Sequence, residues 1–172
     1  MPTSSFDTVP TIGQLIRSQE PQSVLDVGIG FGKWGYMVRE LQDIAYERYK
    51  PDEWKVMIVG VEAFKDYHTP IWDYIYDNVI IGDIRKEKAL LSKFDLVLFI
   101  DVLEHMHHDE GLELLEEVQR AGKKYIVSVP NYPSPQGAFC GNEFEIHVSV
   151  GEWSPRDFSN HTLVAGKLIG WN

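Results

Sequence analysis

Five short apolar runs, separated by stretches long enough to hold helices or turns, limit what this chain can fold into more than any other feature. They lie at residues 24–27, 56–61, 79–81, 95–100 and 125–129. None alternates cleanly between apolar and polar residues. A strand with one wet face alternates, whereas a strand covered on both faces reads as a nearly continuous apolar run. Strands of this kind with intervening helical crossovers predict an α/β protein whose parallel sheet carries helices on both faces. Right-handed crossovers then make the sheet doubly wound, a three-layer αβα, Rossmann-like arrangement. Residues 163–169 offer a last strand.

The connections follow from periodicity. Trp34, Met37, Val38 and Leu41 fall on one helical face, Ile44 and Ala45 extend it, and Pro51 stops it. Thr11-Ile12-Gly13-Gln14 reads as a capping box that opens a lead-in helix carrying Leu15 and Ile16. Tyr67, Ile71, Tyr74 and Ile75 make another stripe, with Pro70 near its start, and residues 87–91 make a short helical connector. Leu112, Leu115 and Val118 mark a further helix with Asp109 as its N-cap. Residues 131–141 are rich in Pro and Gly and read as loop, and Ser154-Pro155-Arg156-Asp157 reads as a helix start.

The chain has 172 residues, so residues 1–172 are read as one domain. The single cysteine, Cys140, allows no intrachain disulfide and fits a reducing, cytoplasmic setting. No apolar run approaches a membrane span, and residues 1–10 lack the basic and apolar regions of a signal peptide. A net charge of −10 disfavours binding to a phosphate backbone. The expected partners are therefore neither nucleic acid nor membrane.

The first run continues as Val24-Leu25-Asp26-Val27-Gly28-Ile29-Gly30-Phe31-Gly32 and leads into a helix. Glycines at a strand end let a ligand approach the backbone, and the N–H groups at a helix start favour anionic groups. The pattern is G-x-G-x-G, with Lys33 where the dinucleotide fingerprint asks for a third small residue. Glu62 closes the second run, where an acid can accept from both hydroxyls of a ribose.

Here the sequence resembles the class I S-adenosylmethionine (SAM)-dependent methyltransferases. The resemblance covers roughly residues 24–129 and rests on four motifs in order. They are the glycine loop, Val59-Gly60-Val61-Glu62-Ala63, Gly82-Asp83-Ile84, and the run from Phe94 through Asp101-Val102-Leu103-Glu104-His105-Met106. Leu103-Glu104-His105 and Ser128-Val129-Pro130-Asn131 resemble a subgroup acting on small molecules. The family pattern implies SAM as cofactor, with Gly28, Gly30 and Gly32 under its methionine part and Asp26 holding the loop and reaching the amino group through water. It implies Glu62 on the ribose, Asp83 and the Ile84 backbone on the adenine edge, Ala63 or Phe64 on its face, and Asp101 toward the methionine ammonium. It also implies six or seven strands ending in an antiparallel hairpin. The short stretch after Trp153 suggests that this hairpin is truncated, leaving an edge on which a second copy could pair as a homodimer.

The implied reaction is methyl transfer to a small-molecule acceptor, with a hydroxyl as the expected group. His105 follows the fourth run and is the candidate catalytic base. A structural histidine bonded to a nearby carbonyl is the alternative. His105, His107 and His108 beside Glu104 and Asp109 suggest a metal only weakly, because adjacent histidines point apart, and no metal is expected. Tyr132, Phe139, Phe144, His147 and Trp153 suggest an aromatic acceptor wall or, equally, core packing. Two other readings of the whole remain: a SAM-binding or partner-binding module without catalysis, and a nicotinamide oxidoreductase, against which Lys33 and the fourth motif argue.

Overall fold

A computed structural model describes residues 3–172. Seven strands form one sheet: β1 Ser23–Val27, β2 Met57–Glu62, β3 Asn78–Ile81, β4 Leu96–Ile100, β5 Lys124–Pro130, β6 Asn160–Val164 and β7 Lys167–Trp171. Their order is β3-β2-β1-β4-β5-β7-β6, parallel except for β7, which runs antiparallel to β5 and β6. The helices are α1 Val9–Gln19, α2 Lys33–Gln42, α3 Pro70–Ile75 and α4 His108–Arg120. The expected three-layer sheet is therefore present. No helix among the described residues is long and apolar enough to cross a membrane.

Both faces of the sheet are covered, which accounts for the unbroken apolar runs. Val24, Ile58, Leu96, Leu98 and Ile126 point to one face and pack with Ile12 and Ile16 of α1, Val38 of α2 and Trp72 of α3. Leu25, Val59, Val97, Phe99 and Val127 point to the other, against Leu114, Leu115 and Val118 of α4. On that second face one long helix suffices, because Trp153 and Phe158 stack at 5.8 Å and fill the space beside it.

The local readings are corrected in several places. Helix α1 begins at Val9, with Pro10 in its first turn, so Thr11 lies inside it and caps nothing. Helix α2 stops at Gln42 rather than near Pro51, because Asp43 leaves the helix to accept from Arg48 and from the Lys55 amide. The cap of α4 is His107, whose N–H is held by Glu110; Asp109 sits in the first turn. Ser154 does make its capping box with Asp157, but only a single 3-10 turn follows. The expected truncation of the hairpin is absent. Strands β6 and β7 are both five residues long, joined by Ala165 and Gly166 at φ 49° and 79°. Two successive positive φ values match a tight hairpin turn.

Two buried polar clusters hold this frame. The Arg39 guanidinium, fully buried on α2, donates to Asp43 at 2.7 Å, to the Val56 and Ile75 carbonyls at 2.7 and 2.8 Å, and to Asp77 at 3.3 Å. It also lies 4.1 Å from the centre of the Trp54 ring. It thus joins the end of α2, the entry to β2 and the exit of α3. The second cluster lies under the glycine loop. Asp26 is buried and accepts from the Tyr76 hydroxyl at 2.6 Å. Burial pushes its carboxyl up to about 7. Gly35 admits the Tyr76 ring, since a Cβ there would stand 2.3 Å from it.

Each cluster has a measurable consequence. Arg39→Met takes one of three partners from buried Asp43, which keeps Arg48 and the Lys55 amide, and leaves the Val56 and Ile75 carbonyls without this donor; urea denaturation should show a loss of about 1–3 kcal/mol. Asp26 binds its proton more tightly folded than unfolded. Its contribution to stability is therefore fully present below about pH 4 and fades as the pH rises toward about 7. The melting temperature of Asp26→Asn should lack this downward slope between pH 4 and 7.

Candidate functional site

Strand order reverses between β1 and β4, and ligands of open α/β sheets settle outside the carboxyl ends of strands at such a switch point. An open cleft of about 870 Å³ lies there. Its floor is the glycine loop. Gly28 and Gly32 have φ of 69° and 91°, and a Cβ on either would meet Val102 at 2.7 Å or Ile71 at 2.8 Å. The Gly28 N–H donates to the Val61 carbonyl at 2.8 Å, and the Gly30 N–H donates to Glu62 at 2.9 Å. The Trp72 indole N–H donates to the Gly30 carbonyl at 2.9 Å, clamping the loop from the α3 side.

Most of the sequence-predicted residues meet at this cleft. Gly28, Gly30, Glu62, Ala63, Asp83, Ile84, Asp101 and His105 line it. Three do not. Asp26 is beneath the loop, turned to Tyr76 rather than to the cleft. Gly32 serves as the N-cap of α2, and Phe64 packs edge-on against Tyr67 at 4.9 Å.

The carboxylates of the cleft differ in their partners. Glu62 spans two loops, accepting from Gly30 at 2.9 Å and from the Phe64 N–H at 2.9 Å. Burial raises its carboxyl above the usual range. Asp83 is gripped by Arg85 at 2.7 and 3.0 Å, and this pairing holds its carboxyl below the usual range. Arg85 reaches on to Glu110 at 3.2 Å. Asp101 adopts φ 57°, a strained value for a non-glycine residue. It accepts from the Ser128 hydroxyl at 2.8 Å and pairs with Lys167 at 3.0 Å.

The opposite wall comes from the long connection between β5 and β6. Asn142, Phe144 and Glu145 line the cleft, and the Tyr67 hydroxyl donates to Glu145 at 3.1 Å across it. His105 faces this wall, with Nδ1 3.3 Å from the Ile146 carbonyl and its ring edge-on to His147 at 4.8 Å. Burial and the neighbouring His147 push the His105 imidazole below its ordinary pKa. The proposed aromatic wall divides: Phe144 lines the cleft, Tyr132 and Phe139 are exposed, and Trp153 is core. His107 and His108 take no part, the latter lying edge-on to Trp153 at 4.6 Å.

Several lining residues escaped the sequence reading. Ser4 accepts from the Trp34 indole N–H at 2.9 Å and its carbonyl accepts from Lys33, so the N-terminal segment crosses the mouth of the cleft. Tyr67 and Glu145 were missed because their sequence separation hides their contact. Lys167, which does not line the cleft but pairs with Asp101, enters from the reversed strand β7, and only a hairpin reading of Ala165-Gly166 places it there.

No family model matches the sequence, and no curated protein matches it. Solved structures do. A methyltransferase from Geobacter sulfurreducens aligns with TM-score 0.64 at 15% identity, covering 100% of this chain and 82% of that one. An O-methyltransferase family protein from Burkholderia thailandensis aligns with TM-score 0.61 at 9% identity, covering 94% of this chain and 54% of that one. PigF with SAH aligns with TM-score 0.59 at 18% identity, covering 94% and 60%. The chain spans 56%, 58% and 55% of the length of three further matched structures. At these identities the likeness is one of fold, and the chain has the class I SAM-dependent methyltransferase fold.

Proposed function

We propose that this protein binds SAM in the cleft at the β1–β4 switch point and transfers its methyl group to a hydroxyl of a small-molecule acceptor. The observation that carries the reading is the convergence of the glycine loop, Glu62 and Asp83-Ile84 on one cleft in a chain of this fold. SAM supplies a methyl already activated on a sulfonium. The work left to the protein is to hold that methyl in line with the acceptor and to keep water away.

Each residue then has a definite task. The backbone of Gly28 and Gly30 leaves room for the methionine part. Glu62 keeps lone pairs beyond those taken by Gly30 and Phe64, enough to accept from ribose hydroxyls. Asp83, fixed by Arg85, and the Ile84 backbone meet the adenine edge, with Ala63 beside the ring. Asp101 faces the ammonium. Asp26 acts on the cofactor only through the loop it supports, and Phe64 only through Tyr67. The acceptor lies against Asn142, Phe144 and Glu145, with the neutral imidazole of His105 presenting a lone pair toward its hydroxyl. The O–CH3 bond forms as the S–CH3 bond breaks, the sulfonium leaves as a neutral thioether, and the hydroxyl proton passes to the His105 imidazole or to solvent water. An overall charge of −10 favours a small acceptor over a polyanion.

Calorimetry with SAM and with S-adenosylhomocysteine (SAH) is the test. Micromolar binding is expected, about −8 kcal/mol. Glu62→Ala should weaken it at least tenfold, and more than Asp83→Ala, because Glu62 also ties down the glycine loop. No heat with either ligand, on chain shown to be folded, would discard the reading. Binding without methyl incorporation into any small-molecule hydroxyl pool would favour the non-catalytic module.

A further inference from the structure

Glu104, His105 and His147 each offer a ligand atom within 4.8 Å of the others. We propose that these three side chains bind a divalent first-row transition-metal cation at the acceptor end of the cleft.

The first argument is an orphaned oxygen. Glu104 is buried, and its Oε2 has no hydrogen-bond partner. A buried polar atom left unpaired is costly and calls for an explanation. The nearest cation, Lys167, lies 3.7 Å from the other oxygen, Oε1, and is already paired with Asp101 at 3.0 Å. A small cation at Oε2 resolves the deficit.

The second argument is the orientation of the imidazoles. His147 sets Nδ1 against the Ser134 carbonyl, and His105 sets Nδ1 3.3 Å from the Ile146 carbonyl. A ring that donates Nδ1–H to a carbonyl carries its lone pair on Nε2, and metal-bound histidines are oriented in this way. The backbone holds the set together: the Val148 and Ser149 amides donate to the Glu104 carbonyl at 2.8 and 3.3 Å, and the His147 amide donates to the Gln136 carbonyl at 3.1 Å.

The third argument is space and donor type. Besides the main cleft, which His105 lines, a small pocket is bounded by Glu104, His147 and Ser149. Ligand atoms on one cation stand about 3–3.5 Å apart, from metal–ligand distances of about 2.1 Å. The three ligand atoms, within 4.8 Å of one another, would have to draw together on a bound cation to reach that spacing. Two imidazoles and one carboxylate suit first-row transition metals better than Mg²⁺ or Ca²⁺, and three ligands leave coordination positions open. If the methyl-transfer reading holds, on which this consequence rests, an open position takes the acceptor oxygen. The cation lowers the pKa of that hydroxyl, whose proton leaves to solvent water. His105 then places the acceptor through the cation and takes no proton itself.

The test uses the full chain after treatment with EDTA, with Mn²⁺ as probe. Calorimetry should show one Mn²⁺ per chain with micromolar affinity. Glu104→Gln and His147→Ala should each weaken binding at least tenfold. Should either variant fold poorly, pulsed electron paramagnetic resonance of Mn²⁺-loaded wild type decides, because imidazole ligation produces nitrogen hyperfine couplings. No binding to wild type, binding without nitrogen couplings, or affinity unchanged in both folded variants would overturn the proposal. SAH calorimetry in EDTA is read separately. Loss of Mn²⁺ binding with intact SAH binding refutes the cation site alone, and the reverse refutes the methyl-transfer reading alone.

Discussion

The hydrogen bonds from the Gly28 and Gly30 amides to strand β2 are what the rest of the carboxyl end depends on. They extend the β1–β2 ladder beyond the last paired residues and turn the loop flat against the sheet. Once the loop is flat, Val102 can close over Gly28 and Ile71 over Gly32 with no side chain in between. Trp72 reaches the Gly30 carbonyl from above, while Tyr76, four residues on, reaches Asp26 from below. Helix α3 and the residue that follows it are therefore fastened to the loop and to the strand before it, although the helix is only six residues long. Two of its anchors are hydrogen bonds from aromatic side chains, which couple large apolar burial to a directional contact.

The same end of the sheet gathers buried acids. Asp26, Glu62 and Glu104 are all buried there, and burial raises the carboxyl of each. Lys167 offsets only part of this, because it is shared between Glu104 and Asp101, and Arg85 is taken up by Asp83 and Glu110. A low-dielectric site with an excess of potential negative charge draws in cationic groups. The ammonium and sulfonium of the proposed cofactor, and the proposed metal, all have that sign.

The fold was legible because its signal is local and repeated. A run such as Leu96-Val97-Leu98-Phe99-Ile100 cannot be wetted on either face, and five such runs leave few alternatives. The glycine loop and Glu62 were legible for the same reason, since their chemistry is tied to strand ends. The misreadings have a common cause. Asp43 ends α2 through contacts to Arg48 and Lys55, which outweigh the helical stripe. Ala165 adopts a positive φ, so the hairpin lacks the usual Asn-Gly signal. The pairing of His105 with His147 spans more than forty residues, and the sequence offered the nearer His107 and His108 in its place. Pattern reading sees neighbours along the chain, whereas this end of the site is built from neighbours in space.

The two walls of the cleft come from different kinds of chain. One is strand ends and helix starts between Gly28 and Asp101, each locked into the core. The other is the connection from residue 131 to 159, which contains two single 3-10 turns, Glu143–Glu145 and Pro155–Asp157, and no α-helix. Loops of this kind tolerate substitution and insertion because little packing is lost when they change. Related chains could therefore diversify in what they recognise by remodelling one contiguous surface segment. The glycine loop beneath, braced by Asp26 and Tyr76, would be inherited intact.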